Sequence, residues 1–534
     1  MFDKEFLDRE GTNKIVQYFN SQFKKLSDNI DRRVQDKFDS IIGKNQNDGE
    51  VLDARKGERT LRNKIDKIDD LINLKANYID LPYINIKSFG AKGDGTGNDT
   101  DAFDNALKFC SANSKYLYVP EGVYNVTGLL VPSNVSIYGS GMESTILRLI
   151  SGGVKKNKSC VITNSDHSKG NENIHLFDMQ LDWNFGNSYS TCAGSPGGSC
   201  LLFANCKNSS ATRIYAKNPG MHCFDISNDI YNPNGKDPEQ ATFIRSNRSN
   251  NIVLDGCVGE GASDDCFTTH HSDNITIKNC VAKNPLGRVF DSEDYTEYNS
   301  NGYEIDDGST NVSVESCYAY GGTCGFEVKA HNYAPAPSNI NLSNCYAIGN
   351  STSFQVRHIG FENTKSTTAK NVNINNCYAI NPGDTNLANS NFRALRMFAY
   401  DCVNVNNFTA IGDGRFLNKL DDDVIRLTSN LTNVNLSNIN ISGFENASND
   451  IYVTSSTKNI NVNNLTITNS SAYGVRCTCS SFNLIGANIN RENVGSIGIW
   501  TNNPTASVIG CIVNGFENNG RINGSNYDDI PKVN

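Results

Sequence analysis

Asn251-Ile252-Val253-Leu254-Asp255-Gly256-Cys257 is followed by Asn274-Ile275-Thr276-Ile277-Lys278-Asn279-Cys280, and then by segments 311–317, 339–345 and 371–377, each opening on Asn and closing on Cys. The five share one pattern: Asn, apolar, any, apolar, any, then Asn, Gly or Ser, then Cys. Their first residues stand 23, 37, 28 and 32 positions apart. A short unit returning at that distance marks a solenoid whose coils stack on one another, with loops of variable length between strands. Alternation turns the two apolar residues inward and the polar ones outward. Cys257, Cys280, Cys317, Cys345 and Cys377 are then expected to stack as thiols inside, and the corner asparagines to form side-chain ladders along the axis. Variants ending in Ile439 and Leu465 continue the repeat. The predicted fold is all-β, a right-handed parallel β-helix over residues 146–534.

Composition narrows the function. Gly is frequent at 44 of 534 residues, while Met and Trp number only 5 and 2. Such a chain suits a narrow repeated core better than a large globular one. A net charge of −9 argues against nucleic acid as partner. No apolar run reaches the length of a membrane span. Met1-Phe2-Asp3-Lys4-Glu5-Phe6 has no signal-peptide pattern, so a protein acting outside a cell is expected to leave by lysis. The 17 cysteines are odd in number and many recur at one repeat position, which predicts buried reduced thiols rather than disulfides. Cys477 and Cys479 have no second pair or His at zinc spacing.

Two segments precede the repeat. In residues 1–80, Ile15, Phe19, Phe23, Leu26, Ile30, Val34, Phe38 and Ile41 step by three or four, with charges such as Lys24, Arg32, Arg33 and Lys37 between them. This seam predicts a helical stalk that self-associates, with a homotrimer as the expected assembly and a helical pair folded on the same chain as the alternative. A second helix carries Leu61, Ile65, Ile68 and Leu71 after the break at 43–49. In residues 81–145, a strand is expected over Ile84–Ala91, a tight turn at Gly93-Asp94-Gly95, and a helix capped by Asp99 or Thr100 that contains Ala102, Phe103, Ala106, Leu107 and Phe109. That helix is expected to cover the open end of the solenoid and its unpaired edge.

The strands ahead of each heptapeptide carry chemistry. With Tyr303, Phe326 and Phe354 aligned inward, Glu304, Glu327 and Gln355 form one outward column and Asp306, Lys329 and Arg357 the next. His331 lies one step further, with His270 expected beside it. Coils are about 4.8 Å apart, so one sheet face gathers carboxylates, imidazoles and cations. The candidate catalytic residues are Asp264, Asp265, Glu304, Asp306, Glu327, His270 and His331. Lys329, Arg357, His358, Asp307 and His271 are candidates for holding substrate. Paired carboxylates suit glycoside cleavage, and imidazoles with cations suit a phosphodiester. The plainer alternative is a solvated face laced with weak ion pairs. No cofactor is expected, and a divalent cation is compatible with the face.

Two resemblances join these readings. Phe89-Gly90-Ala91-Lys92-Gly93-Asp94-Gly95, Asp99-Thr100, the segment 119–124 and Ile137-Tyr138-Gly139-Ser140-Gly141 resemble the opening of the pectate-lyase and polygalacturonase superfamily. Asp264-Asp265-Cys266 resembles an acidic signature of polygalacturonases. The stretch from Asp264-Asp265 through Thr268-Thr269-His270-His271, 302–308, Glu327-Val328-Lys329-Ala330-His331 and Arg357-His358-Ile359-Gly360 to Ala410-Ile411-Gly412-Asp413 resembles the preneck appendage proteins of short-tailed phages of Gram-positive bacteria. That resemblance implies a virion tail appendage, assembled in the host cytoplasm and attached to tail and neck proteins through residues 1–80. It also implies binding, and hydrolase-type cleavage, of host-wall teichoic acid or a related anionic glycopolymer at the cell surface. The β-helix pattern is expected to run nearly to Asn534, so no large distal maturation domain of that family is visible in these residues. A non-catalytic adhesin and a polysaccharide lyase or glycoside hydrolase unrelated to phage are the alternatives.

Overall fold

Through the middle of the chain each coil turns three short strands around a narrow apolar core, and successive coils pair in parallel along three faces; in later coils one long strand such as Asp401–Ile411 serves two of those faces. The computed structural model describes residues 82–150, 160–186, 198–228, 247–286, 300–385, 392–413, 423–469, 471–503, 505–522 and 525–526. The helical stalk, its coiled-coil seam and the trimer expected of residues 1–80 lie outside the described residues. Parallel crossovers of this kind wind right-handed.

The heptapeptides form one sheet. Ile252, Ile275, Val312, Ile340 and Val372 stand in one register column, and Leu254, Ile277, Val314, Leu342 and Ile374 in the next. All ten are buried. The consensus has a backbone cause. Asn274, Asn311, Asn339 and Asn371 hold φ between 56° and 61°, and Asn279, Ser316, Asn344 and Asn376 hold φ between 53° and 55°. Both ends of the unit are left-handed corners, which Asn tolerates better than most residues. The first corner also forms a ladder: Asn311, Asn339 and Asn371 each donate from Nδ2 to the Oδ1 of the asparagine one coil earlier, at 3.1 Å. The five repeat cysteines are free and buried. On a third sheet Tyr318, Tyr346 and Tyr378 stack at 4.9 and 4.7 Å.

The sheet that matters for function includes β1 (Leu201–Ala204), β2 (Phe224–Ser227), β3 (Phe267–Thr269), β4 (Asn301–Ile305), β5 (Cys324–Ala330), β6 (Thr352–His358), β7 (Arg393–Phe398) and β8 (Asp423–Thr428). Its inner face is an aromatic stack. Phe224, Phe267, Tyr303, Phe326 and Phe354 follow one another at 4.7, 4.8, 4.7 and 5.0 Å. Burying each ring contributes about 2–3 kcal/mol and fixes the register that the outer face inherits.

Residues 81–145 supply the first coils, since Tyr83–Asn85 pairs with Tyr116–Tyr118 and that strand with Val135–Tyr138. Helix α1 (Thr100–Asn113) buries Ala102, Phe103, Ala106, Leu107 and Cys110 against this end. Three local readings change. The expected strand Ile84–Ala91 is a strand only to Asn85; Asn85 Oδ1 then accepts from Lys87 N, and a 3-10 turn runs to Phe89, closed by left-handed Gly90. Asp94–Asn98 is a strand rather than a turn, paired with Gly122–Val126. Asp99 stands at the N-cap of α1 without capping it, because its carboxylate accepts from Lys92 N at 2.7 Å and Gly93 N at 3.2 Å.

Candidate active site

The outward column of this sheet reads Asp225, Thr268, Glu304, Glu327, Gln355 on β2 to β6. Lys329 and Arg357 are neighbours in the next column. Thr269 pairs with Ile305, which puts His270 at the level of Asp306 rather than beside His331. The chain turns directly afterwards, at His271 with φ 44°. The face was expected to be open. Instead Asp265, Glu304, Asp306, Glu327 and Lys329 are each 4% exposed or less. The side chains at the rim are Asp264, Arg357 and His331, at 12%, 22% and 32%.

Charges this deep have to be matched within the protein. Lys329 Nζ lies 2.6 Å from Glu304 Oε1 and 3.5 Å from Asp306 Oδ2. Asn301 Nδ2 donates to Glu304 Oε1 at 2.9 Å and to Glu327 Oε2 at 3.0 Å, while its Oδ1 accepts from Cys324 N. Glu327 Oε1 accepts from Gln355 Nε2 and forms an ion pair with the Arg357 guanidinium, both at 2.5 Å. Lys329, read from sequence as a grip on substrate, is therefore an internal counter-ion. Arg357 keeps part of its surface at the rim.

A second network joins two histidines. His222 sits 3.5 Å from Asp225 and 3.3 Å from Asp264; His270 sits 3.2 Å from Asp225 and 3.8 Å from Asp306. Burial works against the charged form of His222, but its hydrogen bonds and charge contacts to Asp225 and Asp264 outweigh it and raise the pKa to about 10. His270 is raised in the same way against burial, by Asp225 and Asp306. Burial also pushes the Asp225 carboxyl up, and the two imidazoles overcome it and hold it well below the usual carboxylate range. Asp265 goes the other way. Burial first, then Asp264 and Glu304, push its pKa well up, and neither of its oxygens has a hydrogen-bond donor.

At the rim, Asp307 Oδ2 is 3.1 Å from His331 Nδ1, and Asp307 Oδ1 accepts from His331 N at 2.8 Å. Tyr333 stacks on the ring at 5.1 Å. Burial lowers the pKa of His331, but Asp307 and Asp306 outweigh it and leave it raised. Nδ1 is occupied, so Nε2 is the nitrogen left for a substrate. His358 and His271, expected to hold substrate, are taken up by the chain. His358 Nδ1 meets Ser366 Oγ at 2.7 Å and Nε2 faces the carbonyls of His331 and Ala334 at 3.2 Å. His271 is packed under Gly308, and burial, followed by the charges of His270 and Arg248, lowers its pKa to about 3.

Among the described residues, three groups have donor atoms close enough to hold a cation: His222, Asp264 and Asp265; His270, Glu304 and Asp306; and Asp306, Asp307 and His331. In the second, Lys329 already supplies positive charge to Glu304 and Asp306. His222, Asp225 and Asn301 were not among the sequence candidates. Asp225 carried a signal, since Phe224-Asp225-Ile226 repeats the step of Tyr303-Glu304-Ile305.

Comparison with known proteins fits the β-helical fold. Residues 83–288 match the family model for rhamnogalacturonase A/epimerase, pectate lyase-like. Protein YobO of Bacillus subtilis (strain 168), which carries a provisional phage-related description, is 34% identical over 84% of this chain and 55% of its own length. The pre-neck appendage protein of Bacillus phage phi29 is 30% identical over 99% of this chain and 60% of its own. The chain thus spans a little over half the length of these relatives. The crystal structure of the N-terminal fragment of bacteriophage phi29 gene product 12 superposes with a TM-score of 0.76 at 28% identity, covering 87% of this chain and 76% of that one. Likeness in sequence and in fold shows that this chain is a homologue of the phage pre-neck appendage proteins, built on a pectate-lyase-like β-helix.

Proposed function

We propose that the protein is a phage tail appendage whose β-helix binds an anionic glycopolymer of the host cell wall, of the teichoic acid class, and cleaves it by hydrolysis. Attachment to tail and neck proteins and trimer formation through residues 1–80 belong to the same reading. The observation that carries it is the Asp307–His331 dyad at the rim of a buried acidic centre. Asp307 orients the ring and favours its protonated form, so His331 is suited to protonate a departing oxygen through Nε2. Arg357, part-exposed beside Glu327, is suited to the non-bridging oxygens of a phosphate. Asp264 is the one carboxylate of the Asp264–Asp265 pair at the rim, and it fits the role of base toward water. Lys329, Asn301 and Glu304 act as positioning residues behind them.

A binding-only adhesin is the second reading, favoured by the near-complete burial of Glu304, Asp306 and Glu327. Purified wall teichoic acid incubated with the protein, followed by mass analysis of released fragments, separates the two. Fragments that disappear in H331A and D264N support cleavage. Binding without fragments in the parent leaves the adhesin, and fragments unchanged in both variants remove the proposed roles.

A further inference from the structure

Beyond the acidic centre the outward column changes character. From Gln355 the register continues through Arg396, Arg426, Tyr452, Arg476 and Trp500 on successive coils. Asp225 to Gln355 are buried, whereas each of these five side chains is partly open to solvent. The guanidiniums are stacked on rings. Arg426 lies 5.4 Å and Arg476 5.1 Å from the Tyr452 ring, so one tyrosine serves both. Arg476 also lies 5.3 Å from Tyr473 and 5.4 Å from Trp500, and Arg396 is 5.0 Å from Phe398. Stacking occupies the faces of these groups and leaves the N–H edges for acceptors in their plane.

The positive charge here exceeds its internal partners. Asp423 meets Arg426 at 3.0 Å and Arg393 at 3.5 Å and accepts from Asn449. Among the described residues no carboxylate pairs with Arg396 or Arg476. Arg396 Nε is buried without a hydrogen-bond partner. Burial, with Arg393, Arg357 and Arg426 adding to it, lowers the Arg396 pKa to about 10. Cations on neighbouring coils, about 4.8 Å apart, repel unless an anion lies between them.

We propose that Arg396, Arg426 and Arg476 form an anion-binding track that holds successive phosphates of a phosphodiester glycopolymer laid along the helix axis, with one end of the polymer at the His331 rim. The inference rests on the polymer reading above and adds where the charges are gripped. Arg357 begins the track, since Arg396 and Arg357 stand on adjacent coils. A nucleic acid is the less suitable polyanion, because the net charge of −9 repels a long, uniformly charged chain away from this stripe.

The test uses the full chain, its R396A/R476A variant and the conservative R396K/R476K variant, with poly(glycerol phosphate) wall teichoic acid as probe. Neutral dextran and single-stranded DNA serve as comparison ligands, and calorimetry reads affinity over a salt series. Removing two charge-assisted contacts is expected to weaken binding of the phosphate polymer by about tenfold or more and to flatten its salt dependence. The lysine variant is expected to keep the salt dependence and recover only part of the affinity. Unchanged melting temperatures exclude misfolding. If the parent binds the polymer and R396A/R476A binds it equally well, the track is wrong while the polymer reading stands. If dextran binds as tightly as the phosphate polymer, the track and the anionic class both fail, and fragment release by H331A against parent still decides cleavage. Tighter binding of DNA than of teichoic acid overturns the glycopolymer assignment.

Discussion

Lys329 Nζ lies 2.6 Å from Glu304 Oε1, with both side chains almost closed to water. A buried pair of this kind contributes little over a well-packed apolar pair, but losing one partner strands the other. K329M is expected to destabilise the β-helix by about 3–5 kcal/mol. E304Q combined with K329M should cost less than the two single losses added together. A double-mutant cycle read by denaturant unfolding measures this; strict additivity would show that the two groups do not depend on each other.

His222 gives the network a pH signature. Its pKa is about 10 in the fold against 6.5 for the free side chain. The folded protein therefore holds this proton more tightly than the unfolded chain. The stabilisation is complete below about pH 6.5 and is lost as the pH climbs through about 10. Melting temperatures between those limits should fall less steeply in H222Q than in the parent. An equally steep decline in both would take His222 out of the account.

The aromatic stack under the site can be probed at its middle. Phe326 lies between Tyr303 at 4.7 Å and Phe354 at 5.0 Å. F326A removes a buried ring from a core too narrow to refill, at an expected cost of about 3–5 kcal/mol. Because Glu327 follows on the same strand, the proposed binding of wall polymer should weaken as well. Thermal unfolding and affinity measured together check this, and loss of neither contradicts the stack's role.

The corner asparagines predict an ordering of variants. Asn339 has φ 58° and donates to Asn311. N339A keeps the strain and loses the ladder, with an expected cost of about 1–2 kcal/mol. N339G loses the same hydrogen bond without the strain and should be the milder change. Denaturant midpoints of the two variants test the order; equal midpoints would show that the ladder rather than the corner dominates.

Thiol reactivity should be uneven. Cys402 is exposed, and every other cysteine among the described residues is buried. Burial and the neighbouring Asp401 raise even the Cys402 pKa, so labelling should be slow at neutral pH and faster at alkaline pH. C402S should remove about one equivalent from the native count by a thiol reagent. An unchanged count would place that reactivity on a different cysteine.

How far the sequence speaks varies along the chain. The heptapeptides were legible because period-two alternation and a fixed Asn and Cys survive every loop insertion. Their two left-handed corners explain the consensus but could not be read from it alone. Asp94–Asn98 is a strand without apolar residues, and its Gly-Asp-Gly start reads as a turn until its pairing partner is known. The columns Glu304–Glu327–Gln355 and Lys329–Arg357 follow from alternation. Their depth does not, because alternation says which face a side chain takes and nothing about what covers that face. For that reason Lys329, His271 and His358 read as groups available to hold substrate. The guanidinium column had a usable signal. Leu395-Arg396-Met397, Ile425-Arg426-Leu427 and Val475-Arg476-Cys477 each repeat the apolar–charged–apolar step of Tyr303-Glu304-Ile305, but uneven spacing and the Asn-rich strands between them obscured it.

A solenoid also measures length. The rim at His331 and the stacked arginines are held apart by a whole number of coils, and each coil adds one fixed increment of about 4.8 Å. Gain or loss of a single coil between them would lengthen or shorten that distance by one graduation without altering the chemistry at either end. Under the proposed wall-polymer reading, a lineage meeting a different polymer repeat has a simple route to follow it: change the count on the ruler and leave both marks as they are.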